Sequence, residues 1–179
     1  MKTVAIITAA LVGSTLVLSG CATSGTNDGT SEAIVTTGGN TPPDPEFKAL
    51  IDGYYNAWSF SDEQGAAGVT DRAARFYADD PNAVFYEMNT QYEGWAQFKA
   101  QAMPNFMAQF TRTSFVPTSD LRISRRGPIA WTTVTFRGTG VLRTTGETIH
   151  LDGRHTAVWN RRGRNWVIVH EHLSLPRPR

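Results

Sequence analysis

The last apolar stretch of the 179-residue chain, WVIVHEHLSLP, closes on His170, Glu171 and His172. A carboxylate among apolar neighbours has its charged form disfavoured, which raises its pKa toward the range of a general base. Residues i and i+2 share one face of a strand, so His170 and His172 could instead offer two nitrogens to a metal. A third ligand, for example His150, would have to come from elsewhere, and no further His/Asp cluster stands at metal spacing. No metal and no cofactor is expected. Asp79-Asp80 is a second carboxylate pair, but Asp-Asp-Pro after a helix is a stop-and-turn signal. Arg161-Arg162-Gly163-Arg164 reads as a solvated hairpin tip.

These groups must be positioned by the elements around them. Phe47, Leu50, Ile51, Tyr54, Tyr55 and Trp58 recur at three- and four-residue spacing, the stripe of a packed helix, with Asp44 and Pro45 as start signals. A polar break, SDEQGAAG, ends it. A short helix over about 69–77 follows, then a strand over 83–88. A third helix runs over about 95–110, with Pro104 predicting a kink or break. After it, Val, Ile, Thr and Trp mark strands over 113–124, 129–142, 147–160 and 165–175, punctuated by Gly-containing turns. Helices first and an antiparallel meander afterwards make an α+β domain, one curved sheet wrapping helices around a cavity.

Strand parity assigns faces. From Ile149 to Asn160, Leu151, His155, Ala157 and Trp159 share an apolar face, so His155 points inward. The first strand is expected to turn Val84, Tyr86 and Met88 inward. In the last strand Val167, Val169, Glu171 and Leu173 oppose Trp166, Ile168, His170 and His172. Both faces are apolar over much of their length, as a cavity on one side and a partner subunit on the other would require.

The front of the chain has a separate logic. Lys2 precedes an apolar run over 4–18 that is too short for a permanent span, so residues 1–20 read as a secretory signal. Leu18-Ser19-Gly20-Cys21 resembles a bacterial lipoprotein lipobox, which implies lipidation of Cys21 and anchoring to the bilayer of the cell envelope. Ala22 after it resembles the pattern of lipoproteins sent to the outer membrane of a Gram-negative host. Cys21 is the only Cys, so the folded part has neither a disulfide nor thiolate catalysis. Residues 21–45, rich in Thr, Ser, Gly and Pro, read as a flexible tether, 46–176 as one domain, and 177–179 as a tail. Removing the leader with Lys2 takes the formal charge from +1 to about zero, which disfavours nucleic acid or an acidic membrane surface as a partner.

FYADDPNAVFYEM, then YEG before a helix, then GRHTAVWNRRGRNWVIVHEHLS, resemble the NTF2-like superfamily and within it the SnoaL-like group. The last stretch also resembles the association domain of calmodulin-dependent kinase. The resemblance implies the fold, a cone of three N-terminal helices on a curved antiparallel sheet, across residues 46–176. By likeness to the ketosteroid-isomerase branch it implies that Glu171 and His155 face the cavity as an acid–base pair. It also puts Tyr54 at the oxyanion-hole position and Tyr86 where that branch keeps a catalytic carboxylate. With no inward Asp on the first strand, a steroid-isomerase mechanism is not supported. His170 and His172 are placed on the outer side.

A conical pocket would be lined by Trp58, Val84, Met88, Trp95, Phe106, Ala157, Val169 and Leu173. The reading favoured is an exported, membrane-anchored binder of a small apolar molecule, homodimeric through its outer sheet face. Its rivals are a cofactor-independent isomerase or lyase and an assembly module without a ligand.

Overall fold

A computed structural model of the chain describes residues 35–37 and 44–176; the leader, Cys21 and the last three residues lie outside them. Helix α1 (Pro45–Trp58) starts where its signals stand. The Asp44 side chain accepts a hydrogen bond from the Glu46 N–H at 2.8 Å, and Pro45 occupies the first turn, where no N–H is needed. Its stripe buries Phe47, Ile51, Tyr54 and Tyr55. Phe47 packs on Trp159 and Trp166, ring centroids 6.2 and 5.0 Å away, and so ties the helix to the last two strands. Helix α2 (Gly65–Ala74) begins inside the polar stretch, earlier than its apolar pattern predicts. Helix α3 covers 94–109 as an α turn (Gly94–Gln97), a π segment (Phe98–Ala102) and a second α segment (Met103–Gln109). Pro104 has no N–H, and its ring would strike the carbonyl four residues back. The wider π turn before it absorbs both effects, so the expected kink is a π bulge in a continuous helix.

The strands are β1 (Val35–Thr37), β2 (Phe60–Ser61), β3 (Val84–Glu87), β4 (Thr90–Glu93), β5 (Phe110–Pro117), β6 (Arg122–Arg126), β7 (Ile129–Leu142), β8 (Thr148–His150), β9 (Gly153–Arg162) and β10 (Asn165–Ser174). They form one sheet in the order β1-β6-β7-β9-β10-β3-β4. The long β7 is its spine: its first half pairs with β6 and β9, its second half with β5 and β8. Two close approaches fix this wall. A Cβ at Gly138 or Gly140 would lie 2.6 Å from the ring of Phe115 or Phe110.

Several expectations are corrected. The sheet is not a plain antiparallel meander, because β3 returns beside β10 in parallel, with His170 opposite Val84 and His172 opposite Tyr86. The span expected as tether contributes β1, an edge strand on β6. The strands expected over 113–124 and 147–160 are each broken by an Asp that captures backbone. Asp120 accepts from the Thr135 N–H at 2.9 Å, and Asp152 from the Gly138 N–H at 3.0 Å.

The two strands that carry the chemistry also depart from simple alternation. In β10 the pairing with β9 slips between Ile168 and His170. Before this bulge Trp166 and Ile168 are buried; after it Glu171 is buried and His172 exposed. One extra residue thus moves the inner face from even to odd positions. Both faces look apolar because the inner face changes, without recourse to a partner subunit. In β3 it is Phe85, not Val84 and Tyr86, that enters the core; Tyr86 is 39% exposed.

Candidate acid–base site in an apolar pocket

Four elements converge on Glu171, which is fully buried. The α1 stripe delivers Tyr54, whose hydroxyl donates to Glu171 Oε2 at 2.9 Å. The chain after α2 delivers Tyr77, donating to Oε1 at 3.0 Å. The inward face of β9 delivers His155, 1% exposed, with Nε2 3.1 Å from Oε2. On its far side, His155 Nδ1 lies 3.3 Å from the Tyr55 hydroxyl. His155 is further held by the Tyr54 ring stacked 4.9 Å away at 17°.

The fourth contribution is a second carboxyl. Glu87, at the end of β3, brings its carboxyl against that of Glu171. The residue is half-buried and lines the pocket, while its carboxyl is enclosed. Two carboxylates in contact cannot both hold a charge cheaply. Burial drives the Glu87 carboxyl well above the ordinary carboxylate range, and the neighbouring Glu171 charge and their hydrogen bond drive it further. Burial also pushes Glu171 upward, but there the hydrogen bond and charge of His155, with donation from Glu87 and Tyr54, outweigh it and hold it below the usual range. Glu87 therefore carries the proton and donates it to the Glu171 carboxylate. Burial, then the Glu171 charge, pushes Tyr54, Tyr55 and Tyr77 upward, so all three remain neutral donors.

The pocket beside this cluster has a volume of about 260 Å³. Its deep wall is apolar, with Trp58, Phe98, Phe106, Phe136, Leu151 and Leu173, while Tyr54, Tyr55 and Glu87 supply its inner polar groups. Exposed Asn89, Thr90, Asn105 and Gln109 stand at its mouth. Met88, left-handed at φ 55°, ends β3 and leaves its side chain half exposed on the pocket.

The structure therefore brings Glu171, His155 and Tyr54 together but seats the buried pair behind the wall. Of the other expected lining residues, Trp58, Met88, Phe106 and Leu173 face the pocket, and Val84, Trp95, Ala157 and Val169 do not. Val84 lies across the strand from the inward Phe85, and Val169 falls in the bulge. Trp95 stacks on Tyr77 at 4.8 Å inside the core, and Ala157 is sealed within the sheet. Tyr86 belongs to the outer face, between the rings of His170 and His172, with centroids 5.7 and 5.9 Å away. The position assigned to Tyr86 is one residue out: Glu87 is the inward acid of β3. A polar residue on one face of an otherwise apolar strand was the available signal. Tyr55 was visible in the α1 stripe, but only as packing. Asp79-Asp80 is a turn, as expected, with Asp80 accepting from the Asn82 N–H at 2.9 Å and from Arg162 at 2.9 Å. Among the described residues no group of three or more His, Cys, Asp or Glu side chains is arranged to hold a metal ion.

Comparison with known proteins places this geometry. No curated protein matches the chain in sequence. Among solved structures, an NTF2-like superfamily protein from Salmonella enterica serovar Typhimurium superposes with TM-score 0.63 at 23% identity, covering 74% of this chain and 90% of that one. A candidate calcium/calmodulin dependent protein kinase II association domain from Xanthomonas campestris gives 0.59 at 20% identity, covering 76% and 92%. A candidate ketosteroid isomerase from Shewanella frigidimarina gives 0.54 at 19% identity, covering 70% and 92%. At such identities the likeness carries the fold alone. The family model of the SnoaL-like domain matches residues 48–178. With its curved, mostly antiparallel sheet and its helices, the chain belongs to the SnoaL-like domain family, on an NTF2-like fold.

Proposed function

We propose that the pocket binds a small, largely apolar organic molecule and presents an oxygen of that molecule to Glu87, Tyr54 and Tyr55. The observation that carries this reading is a carboxyl, Glu87, set in the wall of an aromatic and aliphatic pocket of about 260 Å³, where burial and the Glu171 charge favour its protonated form. Apolar walls supply affinity, and a few polar groups fix orientation. Full-length chain screened against small ketones, phenols and hydrocarbons is expected to gain thermal stability from oxygen-bearing compounds, by about 2.7 kcal/mol at a hundredfold excess over Kd. Leu173→Trp, which fills the pocket, should abolish the gain. No stabilisation by any compound would contradict the reading.

A second reading, a cofactor-independent isomerase or lyase, is favoured by the Glu87–Glu171 pair itself. One proton held between two carboxyls can be given to a ligand carbon or oxygen and taken back, while Tyr54 and Tyr55 donate to a developing oxyanion. Here Glu87 is the residue that touches the ligand, and Glu171 and His155 act through it. Deuterium uptake beside the carbonyl of a bound ketone in D₂O, lost in Glu87→Gln while binding persists, is the expected result. Binding without any exchange leaves the binder reading alone.

Export, acylation of Cys21 and residence at the cell envelope are part of this proposal and rest on the lipobox-like leader. Labelling with palmitate that persists in Cys21→Ser would overturn the anchor. The outer sheet face exposes Ile129 and Trp131, which supports a homodimer through that face; a monomeric mass in solution would contradict it.

A further inference from the structure

On the side of the sheet away from the pocket, a second cleft of about 290 Å³ is lined by Arg137 and Arg154 with Thr118, Thr135, Asp152 and Ser174. Strand alternation builds it. Gly153 and His155 face inward, so Arg154 faces out, directly between Thr135 of β7 and Ser174 of β10. Phe136 and Gly138 face inward, so Arg137 also faces out, diagonal to Arg154 across the same pair of strands.

Two guanidiniums at this spacing repel each other unless an acceptor intervenes. Three other arginines have one: Arg143 pairs with Asp62 at 2.7 Å, Arg162 with Asp80 at 2.9 Å, and Arg125 with Glu46 at 3.3 Å. The exposed guanidiniums of Arg137 and Arg154 have no hydrogen bond or ion pair to any described residue. Two carboxylates at the cleft are already hydrogen-bonded. Asp152 accepts from the Gly138 N–H, and Asp120 from Thr118 and Thr135. The cleft thus sets two positive charges against two engaged negative charges, and offers ten guanidinium N–H donors and the Ser174 hydroxyl. That donor set is in excess for a carboxylate and matches the oxygens of a phosphate, which arginine forks bind two at a time.

We propose that Arg137 and Arg154 form a phosphate-binding site, serving either a free phosphate compound or a phospholipid headgroup. The site is separate from the pocket and does not depend on how the pocket functions. The test uses the full chain with inorganic phosphate, followed by NMR, and with vesicles of phosphatidylcholine alone or mixed with phosphatidic acid, followed by co-flotation. Phosphate is expected to shift the amides of residues 135, 137, 154 and 174. Binding should weaken about tenfold in Arg137→Gln and again in Arg154→Gln, as loss of one charge-assisted bond pair requires. Arg164→Gln, an equal charge loss at the hairpin tip, should leave it unchanged. Capture of phosphatidic acid vesicles without a response to inorganic phosphate assigns the site to a headgroup; the reverse assigns it to a soluble compound. An equal loss in Arg164→Gln, or no response to either probe, overturns the proposal.

Discussion

The two sides of β9 and β10 carry similar side chains to opposite ends. On the inner side His155 and Glu171 are sealed together, with three tyrosines and a second carboxyl against their polar atoms. On the outer side, one residue away, the rings of His170 and His172 flank Tyr86 with no side-chain hydrogen bond to any described residue. Residue type does not distinguish them. What does is the face each side chain is given by pairing, and in β10 a single bulge residue decides that face. Burial and fixed partners bind the inner imidazole and carboxylate into one hydrogen-bonded network, while the outer imidazoles rest only against a tyrosine ring.

Breaking the inner cluster should therefore cost far more than breaking the outer one. Glu171→Leu strands His155, Tyr54 and Tyr77 without an acceptor and is expected to lose about 3–5 kcal/mol of unfolding free energy by denaturant titration. Tyr54→Phe removes one donor from a charged acceptor and should lose about 1.5–3 kcal/mol. His172→Ala should stay within about 0.5 kcal/mol. A comparable cost for His172→Ala and Glu171→Leu would erase the contrast.

The sequence spoke clearly where one period ran unbroken. The stripe from Phe47 to Trp58 gave α1, and the alternation around His155 gave the inner face of β9. It was silent where a single residue changes the period or where pairing is long-range. Nothing near Val169 marks the bulge, because Val-Ile-Val offers apolar side chains to either face. Val84, Phe85, Tyr86 and Met88 likewise fit either parity, and only the parallel pairing with β10 chooses. Glu87 was hidden by that ambiguity. So was its partnership with Glu171, which is 84 residues further along the chain and joins two strands that no turn connects.

Glu87 sharpens the comparison through pH. Its folded pKa is raised above the unfolded value of about 4.3. Its stabilising contribution is thus complete below that value and is lost as pH rises toward the folded pKa. Glu171 has the opposite sign: its folded pKa is lowered, so its contribution is present above the unfolded value and lost as pH falls through the folded one. Glu87→Gln keeps a donor to Glu171 without the cost of holding a proton at neutral pH. It should raise the melting temperature there, with a gain that shrinks toward pH 4. An equal gain at both ends would mean that Glu87 does not carry the proton.

The direct test is carbon-13 NMR titration of the glutamate carboxyls, with Glu87 and Glu171 assigned by their Gln variants. On this account Glu87 stays protonated through neutral pH, while Glu171 is ionised down to below the ordinary carboxylate range. Two carboxyls titrating together at the values of exposed glutamates would contradict the shared proton, and with it the site.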